Sequence, residues 1–218
     1  MPLQIDKVAC RRGGRLIFSG ISFSIPDGTA LVVRGPNGVG KSTLLRCLAG
    51  MVPLESGYVY LSGVSLEDRS LIQEQITYAG HLDAVKPALS VHQNLALWAE
   101  VLGDGSGVEA ALDFFGLDGI ADRLTAHCSA GQKRRLGLAR LMVTRRKLWL
   151  LDEPTVSLDA ESSGLVASLI RDHCTDGGIA LVATHIDMDL GPAEVLQMMP
   201  PAPETTTGDD AFLSGSWE

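Results

Sequence analysis

Residues 35–43 read GPNGVGKST, and no other feature of the chain restricts the fold so sharply. A GxxxxGK[ST] run is a turn whose glycines let successive backbone N–H groups point inward around phosphate oxygens. It lies at the positive end of the helix that comes after it. Such a turn needs a buried strand before it and a helix after it. ALVVR (30–34) supplies the first and LLRCLAG (44–50) the second. The motif makes Gly35, Pro36, Asn37, Gly38, Val39, Gly40 and Thr43 the phosphate cradle. It sends Lys41 to the β- and γ-phosphates and the Ser42 hydroxyl to Mg²⁺.

Further apolar runs at 76–79 (ITYA), 148–151 (LWLL) and 179–184 (IALVAT) show little alternation, the mark of strands buried on both faces. With helical segments between them they predict an α/β P-loop (RecA-like) core around a mostly parallel sheet. The first ~30 residues and GYVYL (57–61) alternate more clearly, which predicts a small antiparallel layer. Between about 85 and 145 the pattern is helical. Ser90 caps a helix with Val91, Leu95, Trp98 and Leu102 on one face, and a second helix at 107–115 stops at Gly116. The expectation is therefore one domain over 1–199 with a helical insert. An acidic tail at 200–218 has the composition of a disordered segment.

A phosphate loop needs an acid at the end of a neighbouring strand, and LWLLDE (148–153) provides two. Asp152 is placed to bind Mg²⁺, and Glu153, one residue beyond, to orient or deprotonate the attacking water. A second helix start, CSAGQK (128–133), has Ser129 as cap and Gly131 for close approach, before a helix from Arg134 to about Thr144. On spacing alone it reads equally as an ordinary capped helix or as a second anion cradle. One site does not need two cradles, so the second reading assigns it to another copy's nucleotide.

Composition narrows the setting. The 18 Lys and Arg against 26 Asp and Glu give a net charge of −8, and no Lys or Arg comes after Arg171. The broad basic field of a nucleic-acid binder is missing, so no nucleic-acid partner is expected. No apolar run reaches membrane-spanning length, and MPLQIDKVACRRG has no apolar signal core. Cys10, Cys47, Cys128 and Cys174 are scattered without metal spacing, as in reduced, buried thiols. His92, His127 and His173 read as solvated or locally bonded. Without CxxCH no covalent haem is expected on this chain.

Together these segments resemble the ATP-binding subunits of ABC transporters over about residues 1–195. The loop at 35–43, the signature segment at 128–132 and the strand 148–153 stand in family order. His185 stands where the family has its switch histidine, and Ser157, Leu158 and Asp159 match the segment that crosses the dimer interface. The resemblance implies an ABC ATPase fold and ATP with Mg²⁺. It also implies a nucleotide-clamped dimer, using Ser129, Gly131, Gln132 and Asp159, and membrane-embedded partners at the cytoplasmic face of the inner membrane.

Within the family the haem-exporter subunits of cytochrome c maturation resemble the chain most, through CRRGGRLIFSGISF (10–23), YAGHLDAVKPALSVHQNL (78–95) and CSAGQKRRLGLARL (128–141). The cargo step is then haem export, or release of a haem-loaded chaperone. The chain departs from most members in three ways. Arg12 stands where an aromatic usually stacks on adenine, and a guanidinium plane can stack as well. His81 replaces the usual glutamine, and Cys128 and Ala130 alter the signature. Another ABC importer or exporter subunit is the main alternative. A soluble ABC ATPase acting on DNA or ribosomes lacks support, since coiled coils, basic arms and a tandem cassette are missing. A module that has lost catalysis sits poorly with Glu153 and His185.

Overall fold

The computed structural model describes residues 2–68 and 74–201, so most of the predicted tail lies outside the described residues. Strand β3 (Ala30–Arg34), β6 (Ile76–Ala79), β7 (Leu148–Asp152), β8 (Ile179–Ala183) and β9 (Ala193–Gln197) form one sheet in the order β6-β7-β8-β3-β9. Every pairing in it is parallel, with Leu148 opposite both Ile76 and Ile179, and Val32 opposite Val182.

The apolar runs are continuous because each face of the sheet has its own core. Leu31, Val33, Leu148, Leu150, Ile179 and Leu181 point to the face covered by helix α1 (Lys41–Leu48). Beyond α1 lies the antiparallel sheet of β1 (Leu3–Arg12), β2 (Arg15–Ile25), β4 (Ser56–Leu61) and β5 (Val64–Ser65), in the order β2-β1-β4-β5. The alternate residues Ala30, Val32, Trp149, Leu151, Ala180 and Val182 meet the helices of the other face. Those are α2 (Val91–Leu102), α3 (Val108–Phe114), α4 (Ala130–Thr144) and α5 (Ala160–Thr175). Burying one such leucine stabilises the fold by roughly 1.5–3 kcal/mol.

The β1–β2 turn, Gly13-Gly14, has positive φ at both residues, the two-residue hairpin turn that suits strand twist. Ser90 does cap α2: its side chain accepts from Gln93 N–H while Gln93 bonds back to Ser90 N–H. The buried face of α2 is shifted from the expected one. Leu102 is 42% exposed, whereas Asn94 and Ala99 are buried. Asn94 turns inward because its amide satisfies Lys86 and Leu89 carbonyls in the loop before the helix. Helix α4 starts at Ala130, one residue after its cap, earlier than Arg134. The helical insert shares one continuous apolar cluster with the sheet, so it is packed into the core.

Strand β9 has no counterpart among the expected strands. Its side chains are mostly exposed, and the strand is held by backbone pairing to β3, with Met198 N–H donating to Arg34 O at 2.8 Å. His173 is a histidine with a structural task. Its ring stacks on Trp149 at 3.7 Å between centroids and lies 3.1 Å from Lys147 O. Burial pushes the His173 pKa below its ordinary value.

A depressed histidine pKa stabilises the fold above the unfolded value of ~6.5, and that contribution is lost as pH falls through the folded value. Comparing wild type with His173→Gln by thermal unfolding, the advantage of wild type is expected to be largest near pH 8 and to shrink below ~6.5. An advantage that grows on acidification would contradict this assignment.

Candidate active site

Parallel strands bring their carboxyl ends to one edge, and four of those ends carry the predicted residues. After β3 comes the phosphate turn, after β7 Glu153, after β8 Thr184 and His185, and after β6 Gly80 and His81. They meet in a cleft of about 480 Å³ lined by Asn37, Gly38, Gly40, Lys41, Ser42, Thr43, His81, Glu153 and His185, with Ile17 and Val156.

The turn has the backbone its glycines were read to permit. Gly35, Gly38 and Gly40 have φ of 148°, 79° and 106°. A Cβ at Gly40 would lie 2.7 Å from Ile17, so the turn is also packed too tightly there for a side chain. Lys41 opens α1 and folds back over the turn. Its Nζ donates to Gly35 O at 2.8 Å and Pro36 O at 3.1 Å.

Asp152 is 1% exposed and both its oxygens are bonded. Ser42 Oγ donates to Oδ1 at 2.8 Å, and Tyr78 OH donates to Oδ2 at 3.2 Å. Arg46 Nε in turn donates to Tyr78 OH at 3.2 Å. Burial raises the Tyr78 pKa, and the bond to Tyr78 raises that of Arg46, so the phenol stays protonated and the guanidinium charged. Ser42 and Asp152 are a pair of hard oxygen donors in contact beside the phosphate turn, a set that fits Mg²⁺. Tyr78 and Arg46 behind Asp152 carry no signal of this task in the sequence. Tyr78 reads as a strand residue, and only its hydrogen bond across the sheet shows that it reaches the acid.

Glu153 leaves the strand geometry with φ 50°, which turns its side chain away from the direction β7 would give it. Its carboxylate lies 3.1 Å from His185 Nδ1. A carboxylate beside Nδ1 favours the tautomer with its proton there, leaving Nε2 as an acceptor. The arrangement suits a carboxylate that handles a water next to a phosphate.

Other predicted residues lie elsewhere. Arg12 is exposed at the end of β1 and is not on the cleft wall, where Ile17 of β2 stands instead. Ser129, Gly131, Gln132 and Asp159 are also outside it. Ser129 and Gln132 make a complete capping box at the start of α4, with bonds of 2.9 and 3.2 Å. Asp159 caps α5 by accepting from Ser162 N–H at 2.8 Å, and that bond holds its pKa below the usual carboxylate value. Cys128 is buried, as a packing residue would be.

The ABC transporter family matches residues 18–156. The "Cytochrome c biogenesis ATP-binding export protein CcmA" of Cereibacter sphaeroides is 46% identical over 216 residues, covering 97% of this chain and 98% of that protein. The protein of the same name from Paracoccus denitrificans is 50% identical over 198 residues, covering 91% and 89%. Among solved structures, a dimeric ATP-binding cassette in a post-hydrolysis state with ADP and Pi has a TM-score of 0.78 at 20% identity, covering 90% of this chain and 94% of that one. The ATP-binding subunit of an ABC transporter gives 0.77 at 21% identity, covering 85% and 80%. At such identity these two likenesses speak to the fold.

The capping box separates a structural role of Ser129 from any role toward a ligand. Ser129→Ala is expected to lower unfolding free energy by ~1 kcal/mol, and Ser129→Asp, which keeps a capping oxygen, by much less. Equal stability of all three proteins in denaturant titration would show that the box contributes nothing.

Proposed function

This chain belongs to the ABC transporter family as an ATP-hydrolysing subunit of the CcmA type, and on that premise we propose how its residues divide the work. The observation that carries the proposal is the convergence of the phosphate turn, Glu153, His185 and His81 in one cleft at the carboxyl edge of one sheet.

Residues 35–43 hold the ATP phosphates through backbone N–H groups and Lys41, whose ammonium exchanges its two loop carbonyls for phosphate oxygens. Ser42 and Asp152 are the residues that would hold Mg²⁺, which would supply positive charge beside the phosphates. Asp152 is kept in place by Tyr78. Glu153 orients the attacking water and takes its proton, and His185 fixes that carboxylate from the other side. Arg12 contributes stacking on the adenine from the β1 end.

Ser129, Gly131, Gln132 and Asp159 act on the nucleotide of a second copy. Their position outside this chain's own cleft supports that reading, as does the dimeric state of the cassette with ADP and Pi. The energy is delivered to haem export in cytochrome c maturation through membrane-embedded subunits, with this chain peripheral on their cytoplasmic side. Among the described residues no helix is long and apolar enough to cross a membrane. His81, exposed on the cleft wall, couples the γ-phosphate region to those subunits by a hydrogen bond that an amide can replace.

Two variants assayed with and without the membrane subunits test this assignment. Glu153→Gln is expected to bind ATP and lose about 10²–10⁴-fold in turnover, accumulating as a dimer. His81→Ala is expected to lose stimulated ATPase more than basal, with His81→Gln keeping most of both. Full turnover in Glu153→Gln would remove it from the chemistry, and equal losses in His81→Ala would remove His81 from coupling.

A further inference from the structure

Arg134, in the second turn of α4, is only 5% exposed and does not itself line the cleft. A buried guanidinium is tolerated when its N–H groups find acceptors. Here Nε donates to Pro154 O at 3.1 Å, and Nη2 to Glu153 O at 2.7 Å with Asp152 O at 3.5 Å. Nη1 donates to Gly80 O at 2.6 Å and to the Asp83 carboxylate at 3.1 Å. These acceptors belong to two segments. One is the turn that carries Glu153, and the other is the loop that carries His81.

Two neighbours show that this junction is built into the helix. At Gly137 a Cβ would lie 2.9 Å from Asp83 Cβ and 3.0 Å from Asp83 O, so the loop reaches α4 only because no side chain stands there. Arg140, the next buried arginine on α4, donates to Tyr78 O at 2.6 Å and stacks over Trp98 at 5.6 Å. Helix α4 thus grips β6 and the loop after it at three successive points, 134, 137 and 140.

The Glu153 backbone needs such a grip. A non-glycine residue at φ 50° persists where its surroundings over-determine it. Its N–H donates to Ala183 O at 2.8 Å, and its carbonyl accepts from Arg134, with a looser bond from Val156 N–H at 3.3 Å. One side of that residue is fixed by the sheet and the other by Arg134.

We infer that Arg134 is a positioning residue for ATP hydrolysis, holding the Glu153 turn in place and tying it to the position of the His81 loop. The inference rests on Glu153 acting on the attacking water. Its consequence is mechanical. Leu82, between His81 and Asp83, is 86% exposed. A partner that presses on this loop moves Gly80 and Asp83, and Arg134 passes the movement to the Glu153 carboxylate without contact with the phosphates. The planar fork serves several acceptors in fixed geometry, which a lysine ammonium does not.

The test is steady-state ATPase on the full-length chain for wild type, Arg134→Lys, Arg134→Gln, Glu153→Gln and the Arg134→Gln/Glu153→Gln double variant. Arg134→Gln is expected to lower kcat about 10²-fold, the effect of a small misplacement of a catalytic group. KM for ATP should stay within about threefold, as befits loss of an interaction used only in the transition state. Arg134→Lys should fall between. In the Glu153→Gln background the second change should cost no further rate, because the group it positions is already gone.

Unchanged kcat in Arg134→Gln, a KM that rises as kcat falls, or an equal further loss in the double variant would each overturn the inference. Full kcat in Glu153→Gln would instead remove the reading beneath it, which separates the two failures. If Arg134→Gln melts below the assay temperature, Asp83→Ala, which keeps the Cβ facing Gly137 and removes the acceptor, cuts one tie from the loop side. Lowered kcat at constant KM there supports the inference, and unchanged kcat overturns it.

Discussion

Parallel pairing of β6, β7, β8 and β3 is the constraint on which the rest of the molecule depends. It fixes Leu151 beside Val182 and Val182 beside Val32, and so it fixes the relative height of the segments that leave the four strands. The phosphate turn, Glu153, His185 and His81 are far apart in sequence and acquire a common edge only through that register. The apolar side chains on both faces hold the register, since a slip of one residue would exchange the two cores. Stability and site geometry therefore have the same source.

Asp152 and Glu153 show how a one-residue step gives two carboxylates different surroundings. Asp152 keeps strand geometry and is buried with partners on both oxygens, which suits a fixed position beside a metal. Glu153 turns out of the strand at positive φ and meets His185. Its side chain lies in the cleft because the backbone is bent, and the bend is held by Ala183 on one side and Arg134 on the other. The same helix begins with the capping box of Ser129 and Gln132, so one rigid rod joins that turn to the turn that carries Glu153.

Much of this was legible in the sequence where a side chain had to be buried or a glycine had to turn. The four strands ALVVR, ITYA, LWLL and IALVA are marked by two-sided burial, and GPNGVGKST by its turn chemistry. The cap of α2 was readable from Ser90 standing just before an apolar helical face, whereas the answering bond from Gln93 shows only in the structure. What was hidden depended on distance across the fold. Strand β9 is held by backbone bonds, which leave no apolar pattern in AEVLQ. Tyr78 and Arg46 support Asp152 from residues that look like ordinary strand and helix positions. Arg134 reads as one basic residue in KRR and shows its role only when Gly80, Asp83 and Glu153 converge on it.

The central claim is that this chain holds half of a hydrolytic site, with Ser129 and Gly131 serving the nucleotide of another copy. A purified heterodimer of a Lys41→Ala copy and a Ser129→Asp copy tests it in single turnover, with hydrolysed ATP counted per dimer. Sharing across the interface leaves one site with both defects and one site intact, so the account predicts about one ATP hydrolysed per heterodimer, the occupancy of one undamaged site in two. Each homodimer should hydrolyse little. A heterodimer as inactive as the two homodimers would count against the account, because it would mean that each copy carries its whole site or else that both sites must fire together.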